Sequence, residues 1–269
     1  MSQLPKFICI GAQRAGTTWL HECLSEHPDV YVPPEKELHF FDRFYDRGIS
    51  SYQDFFKAEK TGNAKVWGEL TPNYYQEDQA LERIKAHIPD VKLIYILREP
   101  VSRAYSQYQL YKPSQFSEQS FEEVIATQPF VTDLSLQGKH LERTYSLFAK
   151  EQVLVLFYDD LSSDPKSTLE KVYSFIDVKS DFIPEHLDKR INRVVLPDLQ
   201  EKLQKFGLGW LIDLVKASPF SEWVKEFFHK TPKKKQSDPM VSQMQGTFKE
   251  DIKLIEKLLD VDLTAWRQD

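Results

Sequence analysis

The sequence predicts an α/β fold, a single three-layer domain with a central, mainly parallel sheet flanked by helices. Two observations predict it. Short continuous apolar runs recur along the chain, the pattern of strands buried on both faces. Each run leads into a segment of helical spacing, and strands that alternate with helices pair in parallel through crossovers. A chain of 269 residues, 41% hydrophobic and 28% charged, can bury one substantial core of this kind.

The first strand is Phe7-Ile8-Cys9-Ile10. It enters the loop Gly11-Ala12-Gln13-Arg14-Ala15-Gly16-Thr17-Thr18. A helix follows, with Trp19, Leu20, Cys23 and Leu24 on one face, and His27-Pro28 stops it. A helical pattern near 77–88 precedes the second strand, 91–97, which runs through Arg98-Glu99-Pro100 into a helix at about 101–111. Arg103 on that helix reads as a solvated residue. Helical patterns near 119–127 and 139–150 lead to the third strand, 153–158. After Asp159 and Asp160, Asp164 is the N-cap candidate of a further helix, with Pro165 in its first position.

Residues 198–230 differ in texture: Leu203, Phe206, Trp210, Leu214, Trp223 and Phe227 recur at roughly helical spacing, broken by Gly207, Gly209 and Pro219. They read as a helical insert, a lid over about 198–235. Lys230, Lys233, Lys234 and Lys235 follow and carry two readings: a solvated link between helices, or an interfacial surface for an amphiphilic acceptor or peripheral membrane contact. Asp238-Pro239 caps a closing helix with Phe248, Ile252, Ile255 and Leu259 at helical spacing.

The formal charge of −6 argues against a nucleic-acid partner, although a local pocket can be positive within an acidic whole. Cys9 and Cys23 make no disulfide framework and read as small core residues. Met1-Ser2-Gln3-Leu4-Pro5-Lys6 carries no secretory h-region, and no stretch has the apolar length of a membrane span. The expectation is a soluble, cytoplasmic protein.

A strand, a glycine-containing loop and a helix present backbone N–H groups and a helix N-terminus to phosphate. Gly11 and Gly16 stand five apart, as in a P-loop, but Thr17 occupies the place of the P-loop lysine. Without that lysine, γ-phosphate transfer loses its main clamp, which speaks against a P-loop nucleotide kinase or NTPase. The cation appears earlier, as Arg14 inside the loop. The bland alternative is a tight strand–helix turn. The absence of Gly-x-Gly-x-x-Gly disfavours a dinucleotide dehydrogenase.

Three segments then carry a resemblance: Gln13-Arg14-Ala15-Gly16-Thr17-Thr18-Trp19-Leu20; Glu37-Leu38-His39-Phe40-Phe41-Asp42; and Leu97-Arg98-Glu99-Pro100-Val101-Ser102-Arg103-Ala104-Tyr105-Ser106-Gln107-Tyr108. Together, in this order, they resemble the sulfotransferases that use 3′-phosphoadenosine-5′-phosphosulfate (PAPS) and release PAP, especially the heparan sulfate O- and N-sulfotransferases and their bacterial relatives. Glu69-Leu70-Thr71-Pro72-Asn73-Tyr74, the Asp160-Leu161 to Asp164-Pro165 stretch and a closing helix ending near Trp266 support the match, which is weakest over 180–240. It implies a P-loop-like domain and sulfuryl transfer without a metal.

The resemblance also implies roles. Arg14, Ala15, Gly16, Thr17, Thr18 and Trp19 form the 5′-phosphosulfate loop, Arg14 standing where relatives commonly have lysine. Arg98 and Ser106 are the expected 3′-phosphate ligands; Arg98 could instead pair with Glu99. Lys189, Arg190 and Arg193 lie where relatives place a loop over the nucleotide. Glu37 is the candidate general base, although its spacing alone reads as a surface glutamate in Glu35-Lys36-Glu37. His39 is the second candidate, as base or as an orienting group. Glu69 and Thr71-Pro72 read either as the lining of an acceptor cleft or as a strand end and tight turn. The acceptor is a small molecule, a lipid or a glycan; the acidic charge balance gives little support to a long polyanionic glycan and leans toward a metabolite or an amphiphile. A non-catalytic anion- or glycan-binding module on the same fold is the remaining alternative.

Overall fold

A computed structural model describes residues 3–188 and 239–267, with side chains from 246 onward in the second stretch. The expected insert and lid (198–235), Lys189, Arg190, Arg193 and the lysines of 230–235 lie outside the described residues. Among the described residues, five parallel strands form the sheet: β1 (Phe7–Gly11), β2 (Val30–Tyr31), β3 (Val66–Leu70), β4 (Lys92–Leu97) and β5 (Val153–Phe157), in the order β2-β3-β1-β4-β5. Phe7 through Ile10 and Leu93 through Leu97 are wholly inaccessible, as central strands covered on both faces must be. At the edge, β5 is only partly buried.

On one face, α1 (Thr17–Glu26) and α10 (Pro165–Phe175) meet where His27 packs on Tyr173, ring centroids 4.6 Å apart. The other face carries α4 (Asp78–His87), α8 (Gln137–Leu147) and the long α11 (Pro239–Leu259). Cys9 and Cys23 are buried, and burial pushes both thiols up to about 12, which removes nucleophilic character near neutral pH. Asp164 accepts from the Ser167 N–H at 3.0 Å with Pro165 beside it, so α10 starts where its signals indicate. Short helices α2 (Ile49–Gln53) and α3 (Ala58–Thr61) fill the connection from β2 to β3, α6 (Phe121–Thr127) and α7 (Pro129–Asp133) pack on each other, and α9 (Tyr158–Ser163) follows β5 beside the site described below.

One expectation is overturned. Arg103, on α5 (Pro100–Tyr111), is fully buried rather than solvated. Its guanidinium donates to Ser135 Oγ (2.7 Å), the Val131 carbonyl (3.1 Å) and Gln107 Oε1 (3.4 Å). Because α7 and the turn after it cover that face of α5, a helix that looks one-sided in sequence is buried on two sides. Among the described residues, no helix is long and apolar enough to cross a membrane.

Candidate active site

Going from β1, the chain first builds β2 and β3 on one side of the sheet and then β4 and β5 on the other. The loops leaving β1 and β4 therefore diverge, and they open a crevice at the carboxyl ends of the strands, where ligands of such sheets gather. Residues 12–16 form one wall. Arg14 (φ 69°) and Gly16 (φ 92°) both adopt left-handed backbone conformations, and Gly16 serves as the N-cap of α1. This geometry turns the loop back over the helix N-terminus.

Arg98 leaves the end of β4 and donates from Nη1 to the Arg14 carbonyl at 2.6 Å, while Arg14 Nε donates to Ser106 Oγ at 3.1 Å. The Arg98 guanidinium lies over the Tyr158 ring, 4.4 Å from its centroid. Its main chain is gripped by the buried Gln137 amide, which accepts from the Arg98 N–H (3.0 Å) and donates to its carbonyl (2.6 Å). Glu99 faces away and caps α5, accepting from the Val101 and Ser102 N–H groups. Among the described residues, neither Arg14 nor Arg98 forms an ion pair with a carboxylate. Burial lowers the pKa of both guanidinium groups, and Arg98 lowers Arg14 further. Two half-buried cations held together without a counter-charge make an anion site.

The opposite wall is the turn that contains Glu37 and His39, also left-handed at φ 63° and 50°. Lys36 reaches from it to the hydroxyl of Thr18 in the first turn of α1, and lies 3.4 Å from Glu37. Glu37 stands 3.6 Å from His39 Nε2, and His39 Nδ1 meets Asp42 at 2.8 Å. Asp42 first, then Glu37, raises the His39 pKa to about 9, which favours an imidazolium at neutral pH, donating from Nδ1 to Asp42 and paired by charge with Glu37. The same contact, with Lys36, holds Glu37 below the usual carboxylate range despite partial burial.

Beneath this turn lies Glu69, 1% exposed, its carboxylate accepting from Tyr52 (2.7 Å), Thr71 (2.6 Å) and Tyr74 (3.2 Å) hydroxyls. Thr71 Oγ accepts in turn from the His39 N–H (3.4 Å), and the Tyr74 hydroxyl from the Phe41 N–H (3.3 Å). Glu69 thus supports the cleft from below; Pro72 and Asn73 line it.

The cleft between the walls measures about 290 Å³ and brings together Arg14, Gly16, Thr17, Thr18, Glu37 and His39. Ala15 is buried in the turn. Trp19 points away from the cleft, 4% exposed, its indole N–H donating to the Leu187 carbonyl at 3.2 Å. Lys36, Asp42, Gln13, Asn73 and Tyr111 join the site without having been singled out in the sequence. Asp42 carried a signal, three residues after His39; Lys36 looked like one more charge in an acidic–basic run.

A parallel sheet with an anion crevice at its switch point places the chain among the α/β domains that bind ligands at the carboxyl ends of their strands. The sulfotransferase domain family matches residues 4–260, and the chain belongs to that family. Human heparan sulfate glucosamine 3-O-sulfotransferase 3B1 is 34% identical over 193 residues, covering 68% of this chain and 49% of its own length. The mouse bifunctional heparan sulfate N-deacetylase/N-sulfotransferase 4 is 33% identical over 195 residues, 65% of this chain and 22% of that protein. The chain thus spans about half the length of the 3-O relatives, or less for the bifunctional ones. A sulfotransferase from Alicyclobacillus acidocaldarius shares the fold, with a TM-score of 0.71 over 99% of this chain and 100% of that one, at 24% identity.

Proposed function

We propose that this chain transfers the sulfuryl group of PAPS to a hydroxyl or amine of an acceptor. The observation that carries this reading is Arg14, which lines one cleft with the ionised carboxylate of Glu37 and, behind that cleft, is tied to Ser106 and to Arg98, a second cation lacking a carboxylate. A donor with two separate phosphate-type ends suits that layout. Arg98 and Ser106 take the 3′-phosphate, and the Arg14–Thr18 loop takes the 5′-phosphosulfate through its N–H groups, hydroxyls and guanidinium. Arg14, which reaches Ser106, links the two subsites.

On the acceptor side, Glu37 is the base. His39 is occupied as an imidazolium between two carboxylates, so it orients Glu37 rather than taking the proton. The two mammalian relatives carry heparan sulfate in their names, one of them its glucosamine, which favours a sugar hydroxyl or amine among the acceptor classes. Titrating PAP into the protein in metal-free buffer tests the reading. Wild type and Glu37→Ala bind alike, and Arg98→Ala loses affinity by tenfold or more, as expected for a charge-assisted contact of about 1.5–3 kcal/mol. Absence of PAP binding by the wild type overturns it.

A further inference from the structure

The position of Lys36 deepens this reading, on which it rests. Two cations face each other across the cleft. Arg14 is drawn to the α5 side by Ser106, and its carbonyl is fixed by Arg98. Lys36 comes from the opposite wall, where it lies 3.4 Å from Glu37, and reaches across to the Thr18 hydroxyl at the first turn of α1. Among the described residues it is the sole lysine lining the cleft. Its side chain is 25% exposed and its stem is flexible, so the ammonium can follow charge that develops between donor and acceptor.

We infer that Lys36 is a further catalytic residue, the cation that contacts the sulfuryl oxygens and the bridging oxygen of the donor, while Arg14 and Arg98 hold the phosphates. In the transfer, the acceptor oxygen forms a bond to sulfur as the bond from sulfur to the bridging oxygen breaks. The electron pair of the broken bond stays on the 5′-phosphate of PAP, and the acceptor proton passes to Glu37. Lys36 keeps its proton throughout and offers hydrogen bonds to the oxygen that gains charge. Its ammonium also lies beside the carboxylate, so before transfer it helps to keep Glu37 ionised.

On this inference Lys36 differs from the phosphate ligands by one criterion: most of its contacts are to the sulfuryl group, which PAP lacks, so its removal weakens PAPS binding more than PAP binding. Calorimetric titration of PAP and of PAPS into wild type, Lys36→Met and Lys36→Arg therefore tests it, together with release of PAP from PAPS with water as acceptor. Lys36→Met is expected to bind PAP within about threefold of wild type but PAPS about tenfold more weakly, by the usual strength of a charge-assisted hydrogen bond. PAP release falls on the order of 10²-fold, as on removal of one electrostatic stabiliser, with partial rescue in Lys36→Arg. PAP binding also verifies that each variant is folded. If Lys36→Met binds and cleaves PAPS like wild type, Lys36 has no such role and the sulfotransferase reading stands. If wild type binds neither nucleotide, that reading falls and this inference with it.

Discussion

At the scale of single residues, the site is governed by the chain of charges Lys36, Glu37, His39 and Asp42. Each carboxylate flanking the imidazole stabilises its protonated form, and Asp42 contributes most because its contact is the shortest, 2.8 Å against 3.6 Å. A histidine with a raised pKa stabilises the fold fully below its ordinary value of 6.5 and loses that contribution as pH rises toward about 9. NMR of the ring carbons should find His39 titrating near 9, and Asp42→Asn should move the midpoint clearly downward. Glu37→Gln should move it less. An unchanged midpoint in Asp42→Asn removes Asp42 as the cause. Loss of the imidazolium also frees Glu37 from its strongest partner, so PAP release from PAPS should decline on the same alkaline limb in wild type and at lower pH in Asp42→Asn.

At the scale of elements, β3 and the segment after it explain why a turn with two left-handed non-glycine residues persists. Strain of this kind survives only where the surroundings over-determine it. Here the buried Glu69 collects three hydroxyls, and two of these hold the His39 and Phe41 N–H groups. Thr71→Val removes one donor to a buried carboxylate and one acceptor for a backbone N–H. It should cost about 1–3 kcal/mol in denaturant melts and slow PAP release from PAPS, with PAP affinity unchanged. Retained stability in that variant would sink the relay. This relay also marks the limit of what the sequence discloses. Strands β1, β4 and β5 were legible because unbroken apolar runs admit few other accounts, and the loops after β1 and β4 carried their own chemistry. Two-residue β2 has no periodicity to read, and β3 mixes Gly68 and Glu69 into its run. A buried glutamate is intelligible only once Tyr52, from α2, is seen to come back to it. Lys36 was illegible for a related reason, since its partner Thr18 is eighteen residues away on another element.

At the scale of the whole molecule, the anion site is tied to the far end of the chain. Asp251 on α11 accepts from the N–H groups of Gly138 and Lys139, both at 2.8 Å, and so caps the start of α8. Gly138 permits that approach: a Cβ there would lie 2.5 Å from the Asp251 carbonyl oxygen. One residue earlier, Gln137 clasps the main chain of Arg98. The path from α11 through α8 to the end of β4 therefore runs through four hydrogen bonds, two at Asp251 and two at Gln137, all of them directional. Removing the cap with Asp251→Ala should lower stability by about 1–2 kcal/mol. It should also weaken PAP binding several-fold, because the residue holding Arg98 sits in the turn that loosens. Arg103→Met is the contrasting variant. It empties an equally buried position on α5 whose partners, Ser135, Gln107 and Val131, lie off this path. It should be at least as destabilising, since buried polar partners are left unsatisfied, yet bind PAP as wild type does. Denaturant melts and PAP titrations on the two variants separate a coupled element from a merely structural one. If both lose stability and neither loses affinity, the closing helix supports the fold alone and Arg98 is positioned by β4 itself.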